Sequence, residues 1–255
     1  MKNMWSITKR ELGTYFSSPI AYAVIAIFLL IVGIFFYSSV AWFNAQAMQM
    51  AQDPYYYQQV NINQMVYSPM FHNISIILLL SLPLLTMRLF SEEKKSGTDE
   101  LLFTSPLSVG QIILGKYLAA LVLLAVMLAL TGLLSVFTFA WGNPEVAPVL
   151  TGYLGLFLMG AAFIAIGIFY SSLTENQIIS AVLSFGTLLL ILILNWGLAS
   201  GNGLLQRILS YLSFSQHFED MTRGILDTKD IVYFLSYSFF GLFLTHAAIQ
   251  SRRWR

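Results

Sequence analysis

Cysteine is absent from the 255 residues, which excludes disulfides and thiolate metal sites. Charge is scarce, with 13 basic and 12 acidic side chains making a tenth of the chain, and the net charge of +1 does not suggest nucleic-acid binding. Only three histidines occur, His72, His217 and His246, and no metal-ligand spacing relates them to one another. What remains is apolar: 57% of residues are hydrophobic and the mean hydropathy is +0.72. At this length a water-soluble core cannot hold so many apolar side chains, so the surplus belongs in a bilayer.

The few charges divide the chain. No Asp, Glu, Lys or Arg falls between Glu11 and Asp53, Asp53 and Arg88, Lys116 and Glu145, Glu145 and Glu175, Glu175 and Arg207, or Asp230 and Arg252. An ionised group at mid-bilayer costs about 2.5 to 3.5 kcal/mol on insertion scales, and each gap holds a helix of about 20 residues. Six spans follow, Pro19 to Phe43, Met70 to Leu89, Val109 to Ala140, Leu150 to Tyr170, Gln177 to Ala199 and Ile231 to Gln250. Ser18-Pro19 and Ser68-Pro69 read as starts of the first two, and Asp227 and Asp230 bracket the start of the sixth. Pro83 predicts a kink in the second span, and the third is too long to cross without tilt or protrusion.

Lys2, Lys9, Arg10, Arg88, Lys94, Lys95, Lys116, Arg252, Arg253 and Arg255 fall on one side of these spans, against Arg207, Arg223 and Lys229 on the other, so both termini are expected in the cytoplasm. The basic N-terminus could open a secretory signal, but the apolar run is longer than a signal's core, so the first span is read as retained. Residues 1–16 place Met4, Trp5, Thr8, Leu12, Tyr15 and Phe16 on one arc and Lys2, Ser6, Lys9, Arg10 and Gly13 opposite, with Ile7 the one apolar misfit. That pattern predicts a helix lying in the membrane interface, the alternative being a frayed tail. Across residues 200–227, Leu204, Leu205, Ile208, Leu209 and Leu212 share a helical face, and a further short helix follows with Ser215 as candidate cap and Gly224 as stop.

No catalytic constellation emerges. Gly110-Gln-Ile-Ile-Leu-Gly115-Lys116-Tyr117 has the frame of a phosphate loop, but Tyr117 stands where a magnesium-binding hydroxyl belongs and no strand precedes it. Nor do the spans carry the mid-membrane Asp, Glu, His or Lys of an ion-coupled carrier, so any uphill work draws its energy from a partner. Gly160, Ala161, Ala165 and Gly167 read as helix-packing positions.

One stretch is dense in charge: between Arg88 and Glu100 lie seven ionisable residues, Arg88, Glu92, Glu93, Lys94, Lys95, Asp99 and Glu100. Within residues 90–106, Gly97 permits a reversal, Thr98 can cap, and Asp99 and Glu100 suit the first turn of a short helix. Leu101, Leu102 and Phe103 give that helix an apolar face, Pro106 ends it by Ser105, and Ser108 can cap the third span. A short helix of this kind, offered to the cytosol by a chain with no energy source of its own, reads as a docking element.

The pattern Glu92-x-Lys94-x-x-Gly97-Thr98-x-Glu100-Leu101-Leu102 followed by Pro106-Leu107-Ser108 resembles the signature of type-2 ABC transporter permeases. Leu173-Thr-Glu-Asn-Gln177 and the run from His217 to Phe234 are similar to the permease subunits of the gliding-motility ABC system, the Gld F type. The resemblance covers the whole chain, 1–255, as a single permease domain, and it implies an all-α integral membrane protein. Six transmembrane helices, an N-terminal interfacial helix, a cytoplasmic coupling helix and short outer helices before the sixth span make up that fold.

The resemblance also implies two permease copies served by cytoplasmic ABC ATPase subunits, which would bind ATP and Mg, leaving this chain without a cofactor. The helix from Gly97 to Thr104, with Glu92, Glu93, Lys94, Thr98, Asp99, Glu100, Leu101, Leu102 and Phe103, would meet the ATPase, braced by Arg10 and Glu11. The turn at Thr174, Glu175 and Asn176 would make a second contact. A membrane-anchored auxiliary protein would meet the outer helices, and the whole would sit in the bacterial inner membrane, exporting a substrate or transmitting force. The competing reading is a membrane scaffold that anchors an envelope complex and moves nothing.

Overall fold

In the computed structural model, residues 2–50, 61–98, 107–194 and 204–253 are described, and all their regular structure is helical. The helices are α1 (Lys2–Ser17), α2 (Pro19–Met50), α3 (Ser68–Thr86), α4 (Arg88–Lys95), α5 (Val109–Trp141), α6 (Val146–Leu173), α7 (Gln177–Ile193), α8 (Leu204–Tyr211), α9 (Phe214–Thr222) and α10 (Thr228–Arg253). Five stretches among the described residues are long and apolar enough to cross a membrane: in α2, α5, α6, α10 and the run from Asn63 to Lys95 that contains α3 and α4. The sixth, α7, is a 17-residue apolar helix starting at Gln177 as expected. Its expected end at Ala199 lies outside the described residues.

Several helices overrun the spans read from sequence. α5 has 33 residues, about 50 Å at 1.5 Å per residue, against a hydrocarbon core of about 30 Å. α2 continues past Phe43 to Met50. The second span does not begin at Ser68: a π-helical turn, Asn63–Tyr67, runs straight into α3, and the Ser68 amide donates to the Asn63 carbonyl. Pro69 has no amide to donate and its ring crowds the preceding turn, and the wider i→i−5 turn gives that ring room.

α6 is the centre of the bundle, packed by α3, α5, α7, α9 and α10. Small residues let the backbones approach: Gly160 lies under Leu124 of α5, Gly167 under Thr86 of α3, and Gly241 of α10 against Ala165. α7 touches the core along one stripe, Ser180, Ser184, Leu188 and Leu192, and shows Ile178, Val182 and Leu190 to its surroundings. α2 is the least covered of the long helices, exposing Ile27, Leu30 and Ile34.

The end of the bundle away from α1 is tied by polar contacts that composition does not reveal. The Asn63 side chain donates to the Glu145 carbonyl at 3.1 Å and accepts from its amide at 3.2 Å. Thr151 donates to the Met221 carbonyl, fastening α9 to α6. His217 lies 2.6 Å from Asp230, both buried, with its ring stacked on Tyr233 at 3.9 Å. Ser215 is no cap: α9 starts at Phe214, and the Ser215 hydroxyl donates to the Leu192 carbonyl of α7. Gly224, at φ +88°, does terminate α9.

Candidate functional site

The site grows from the seating of α1. Its buried residues are Ile7, Thr8, Glu11 and Tyr15, a single stripe at helical spacing facing α5 and the α3–α4 junction. Ile7, the misfit of the amphipathic pattern, is thus the centre of the packed face, while Trp5 and Phe16 are exposed. Contact is close because α5 presents Gly115, where an added Cβ would lie 2.7 Å from Ile7 Cγ2. Thr8 donates to the Gly115 carbonyl at 3.1 Å. The glycine and lysine of the phosphate-loop frame therefore serve helix packing: Gly115 receives α1, and Lys116 carries the charge that holds it.

Lys116 is 1% exposed. Its ammonium donates to Glu11 at 3.1 Å, to Glu93 at 2.8 Å and to the Leu89 carbonyl at 2.7 Å, so all three of its hydrogens have acceptors. Arg10, half exposed, donates to Glu11 at 2.8 Å and lies 3.4 Å from Glu93. Burial pushes the Glu11 carboxyl up, but the Lys116 charge and the bonds from Arg10 and Lys116 outweigh it and hold Glu11 below the usual carboxylate range. One network thus joins α1, α4 and α5. Sequence reading brought Arg10, Glu11 and Glu93 forward and missed Lys116. The signal was available, since a lysine two turns inside an apolar helix needs acidic partners.

A second junction joins α4 to the end of α6. The second span is interrupted at Met87, four residues past Pro83, and not at the proline itself, which sits inside α3. There the Ser171 hydroxyl enters the ladder, accepting from the amides of Phe90 (3.0 Å) and Ser91 (3.1 Å) and donating to the Met87 carbonyl (2.7 Å). Ser91 donates to the Ser171 carbonyl, and Lys94 donates to that of Ser172.

The adjoining turn is ordered by its own side chains. Thr174 Oγ1 accepts the Asn176 amide, and the Asn176 carboxamide caps α7 by accepting from Ile178 and Ile179. Lys95 faces Glu175 and Asn176 across a groove of about 500 Å³.

Beyond α4 the chain reverses. Gly97 takes φ +67°, with the Thr98 amide on the Glu93 carbonyl and the Gly97 amide on that of Lys94, the bonding of a Schellman stop. The Thr98 hydroxyl also donates to the Glu93 carbonyl, so it closes α4. Asp99, Glu100, Leu101, Leu102 and Phe103 lie outside the described residues. The chain re-enters at Leu107, and Ser108 caps α5 in a reciprocal pair with Gln111. Glu92 is exposed and has no side-chain partner among the described residues.

A bundle of long apolar helices with an ionic network at one end defines a multi-pass membrane protein. A family model described as ABC-2 family transporter protein matches residues 5–249, and the chain belongs to that family of transporter permeases. Comparison with curated proteins finds no match.

Proposed function

We propose that the chain is the transmembrane permease subunit of an ATP-driven ABC transporter of the gliding-motility type, coupling ATP hydrolysis by partner subunits to export or force transmission across the bacterial inner membrane. The observation that carries this reading is the rigid seat beneath the charged loop. Residues 99–106 are flanked by the Schellman stop at Gly97 and the capping pair at Ser108. The Glu11–Lys116–Glu93 network and the Ser171 junction tie those flanks to α1, α5 and α6. A push on the loop by an ATPase would move the second, third and fourth spans together.

In this reading the α1 end and both termini face the cytoplasm, where Lys and Arg concentrate. ATP and Mg are held by the ATPase. Lys95, Glu175 and Asn176 offer it a second contact beside the first. A second permease copy and the bilayer share the uncovered surface of α2, and an auxiliary protein with an outer domain meets α8 and α9.

The test is a reconstituted complex carrying Glu92→Gln, Gly97→Val and Glu100→Gln together. Membrane insertion should be normal and most of the stimulated ATP turnover lost. Full stimulated turnover in that variant would sink the coupling mechanism.

A further inference from the structure

Between α1 and α4 lies a cavity of about 240 Å³ whose lining includes Arg10, Thr14, Arg88, Glu92, Glu93 and Ser96. Its charges are not all committed. Lys116, Glu11 and Arg10 satisfy one another and one oxygen of Glu93. Arg88 donates through Nη1 to Ser18 at 3.3 Å and stacks its guanidinium 5.1 Å over the Tyr15 ring, but its buried Nη2 has no partner among the described residues. The buried Oε2 of Glu93 has none either, and Glu92 stands one helical turn beyond Arg88.

Arg88, Glu92 and Glu93 thus bring one cationic and two acidic side chains to the lining of a single space. A simple anion would satisfy Arg88 but face Glu92 and Glu93; a simple cation would satisfy the carboxylates but lie against Arg88 and Arg10. A zwitterion answers both. Residues four apart on a helix hold their Cβ atoms about 6 Å apart, a separation that a phosphate and an ammonium two carbons away can bridge. The acceptors also require N–H donors, which a primary ammonium has and a quaternary one lacks.

The setting selects a lipid over a soluble molecule. Arg88 reaches Ser18, in the elbow where α1 turns into the first span, and the rings of Phe16 and Tyr22 pair at 6.2 Å across that elbow, both exposed. Headgroup and acyl surfaces are therefore adjacent. We propose that this cavity binds the phosphoethanolamine headgroup of a membrane lipid, with phosphate on Arg88 and ammonium on Glu93 and Glu92, fastening the elbow to the bilayer. This holds whichever partner drives the protein.

The experiment is native mass spectrometry of the purified full chain in detergent, titrated separately with dioleoyl phosphatidylethanolamine, phosphatidylcholine and phosphatidylglycerol, and with soluble glycerophosphoethanolamine. Phosphatidylethanolamine should bind about tenfold more tightly than the other two lipids, the equivalent of one charge-assisted hydrogen bond. Arg88→Gln should weaken all three lipids alike. Glu92→Gln, at an exposed position that leaves folding intact, should weaken phosphatidylethanolamine alone and cut its advantage by about half or more, Glu93 remaining as the other acceptor.

Equal retention of the three lipids, or an advantage undiminished by Glu92→Gln, overturns the proposal. Glycerophosphoethanolamine binding as tightly as the lipid would assign the cavity to a soluble zwitterion. Lipid binding unchanged by both variants, together with loss of ATPase co-purification, would assign it to a protein surface.

Discussion

Lys116 shows how one side chain can define a site. Its ammonium is out of water and is acceptable there only because two carboxylates and a carbonyl surround it. Replacing it by Met keeps the volume but leaves Glu11 and Glu93 with the half-exposed Arg10 as their one remaining cation among the described residues; loss of one partner of a buried ion pair costs up to about 3 to 5 kcal/mol. Lys116→Met should therefore lower the thermal unfolding midpoint in detergent and release α1 to proteolysis near Arg10. An unchanged midpoint would mean that the network contributes nothing to seating the helix.

The same network makes the seat sensitive to acid. Glu11 is held below its ordinary range in the folded protein, so its contribution is complete above the unfolded carboxylate range and is lost as pH falls through the depressed value. The step in α1 protection that belongs to Glu11 should accordingly fall at strongly acidic pH, and that step should be absent in Glu11→Gln.

At the scale of elements, the α3–α4 break shows what periodicity can and cannot announce. Pro83 marks a span that will not run straight, but the interruption falls at Met87, because Ser171 from a distant helix replaces the ladder acceptors there. Gly167, one turn away on α6, makes room for Thr86 beside it. Substituting Ser171 by Val should leave the Phe90 and Ser91 amides without acceptors, costing about 1 to 3 kcal/mol each where both stay buried. Ser171→Thr, which restores a hydroxyl, should recover part of that loss. Thermal unfolding of the two variants side by side checks it.

Charge spacing made the spans legible, since a charge in hydrocarbon is costly, but it left several ends loose: α2 runs on to Met50 and the helical run of the second span starts at Asn63. The stop at Gly97 and the cap at Ser108 were also readable, because each is a local device needing only its neighbours. Lys116 announced a need for acidic partners without naming Glu93, and Ser171 with Phe90 and His217 with Asp230 were not readable at all. The last two are partnerships set by which helices meet, and no local pattern announces them. α1 is an intermediate case. Its amphipathic arc was visible, but the packed stripe through Ile7 and Glu11 depends on Gly115 arriving opposite.

For the whole molecule, the two ends of the bundle differ in kind. At the α1 end, ionic contacts and an inserted hydroxyl join the approaches to a charged loop; at the other, side chains such as Asn63 and Thr151 clamp short helices and turns onto α6. α6 runs between them, bonded to α4 through Ser171 and to α9 through Thr151. That arrangement suits a protein receiving force on one face and acting on the other, provided the faces lie on opposite sides of the membrane.

The missing cysteines make this directly measurable, because any introduced thiol is the only one present. Glu175→Cys at the α1 end and Arg223→Cys at the other replace exposed side chains outside the apolar spans. In right-side-out vesicles an impermeant maleimide should label position 223 at once and position 175 only after permeabilisation. The reverse pattern would invert the protein and remove the charged loop from any ATPase in the cytoplasm. Labelling of both from outside would place the two faces on one side and refute the six-span crossing that transmission along α6 requires.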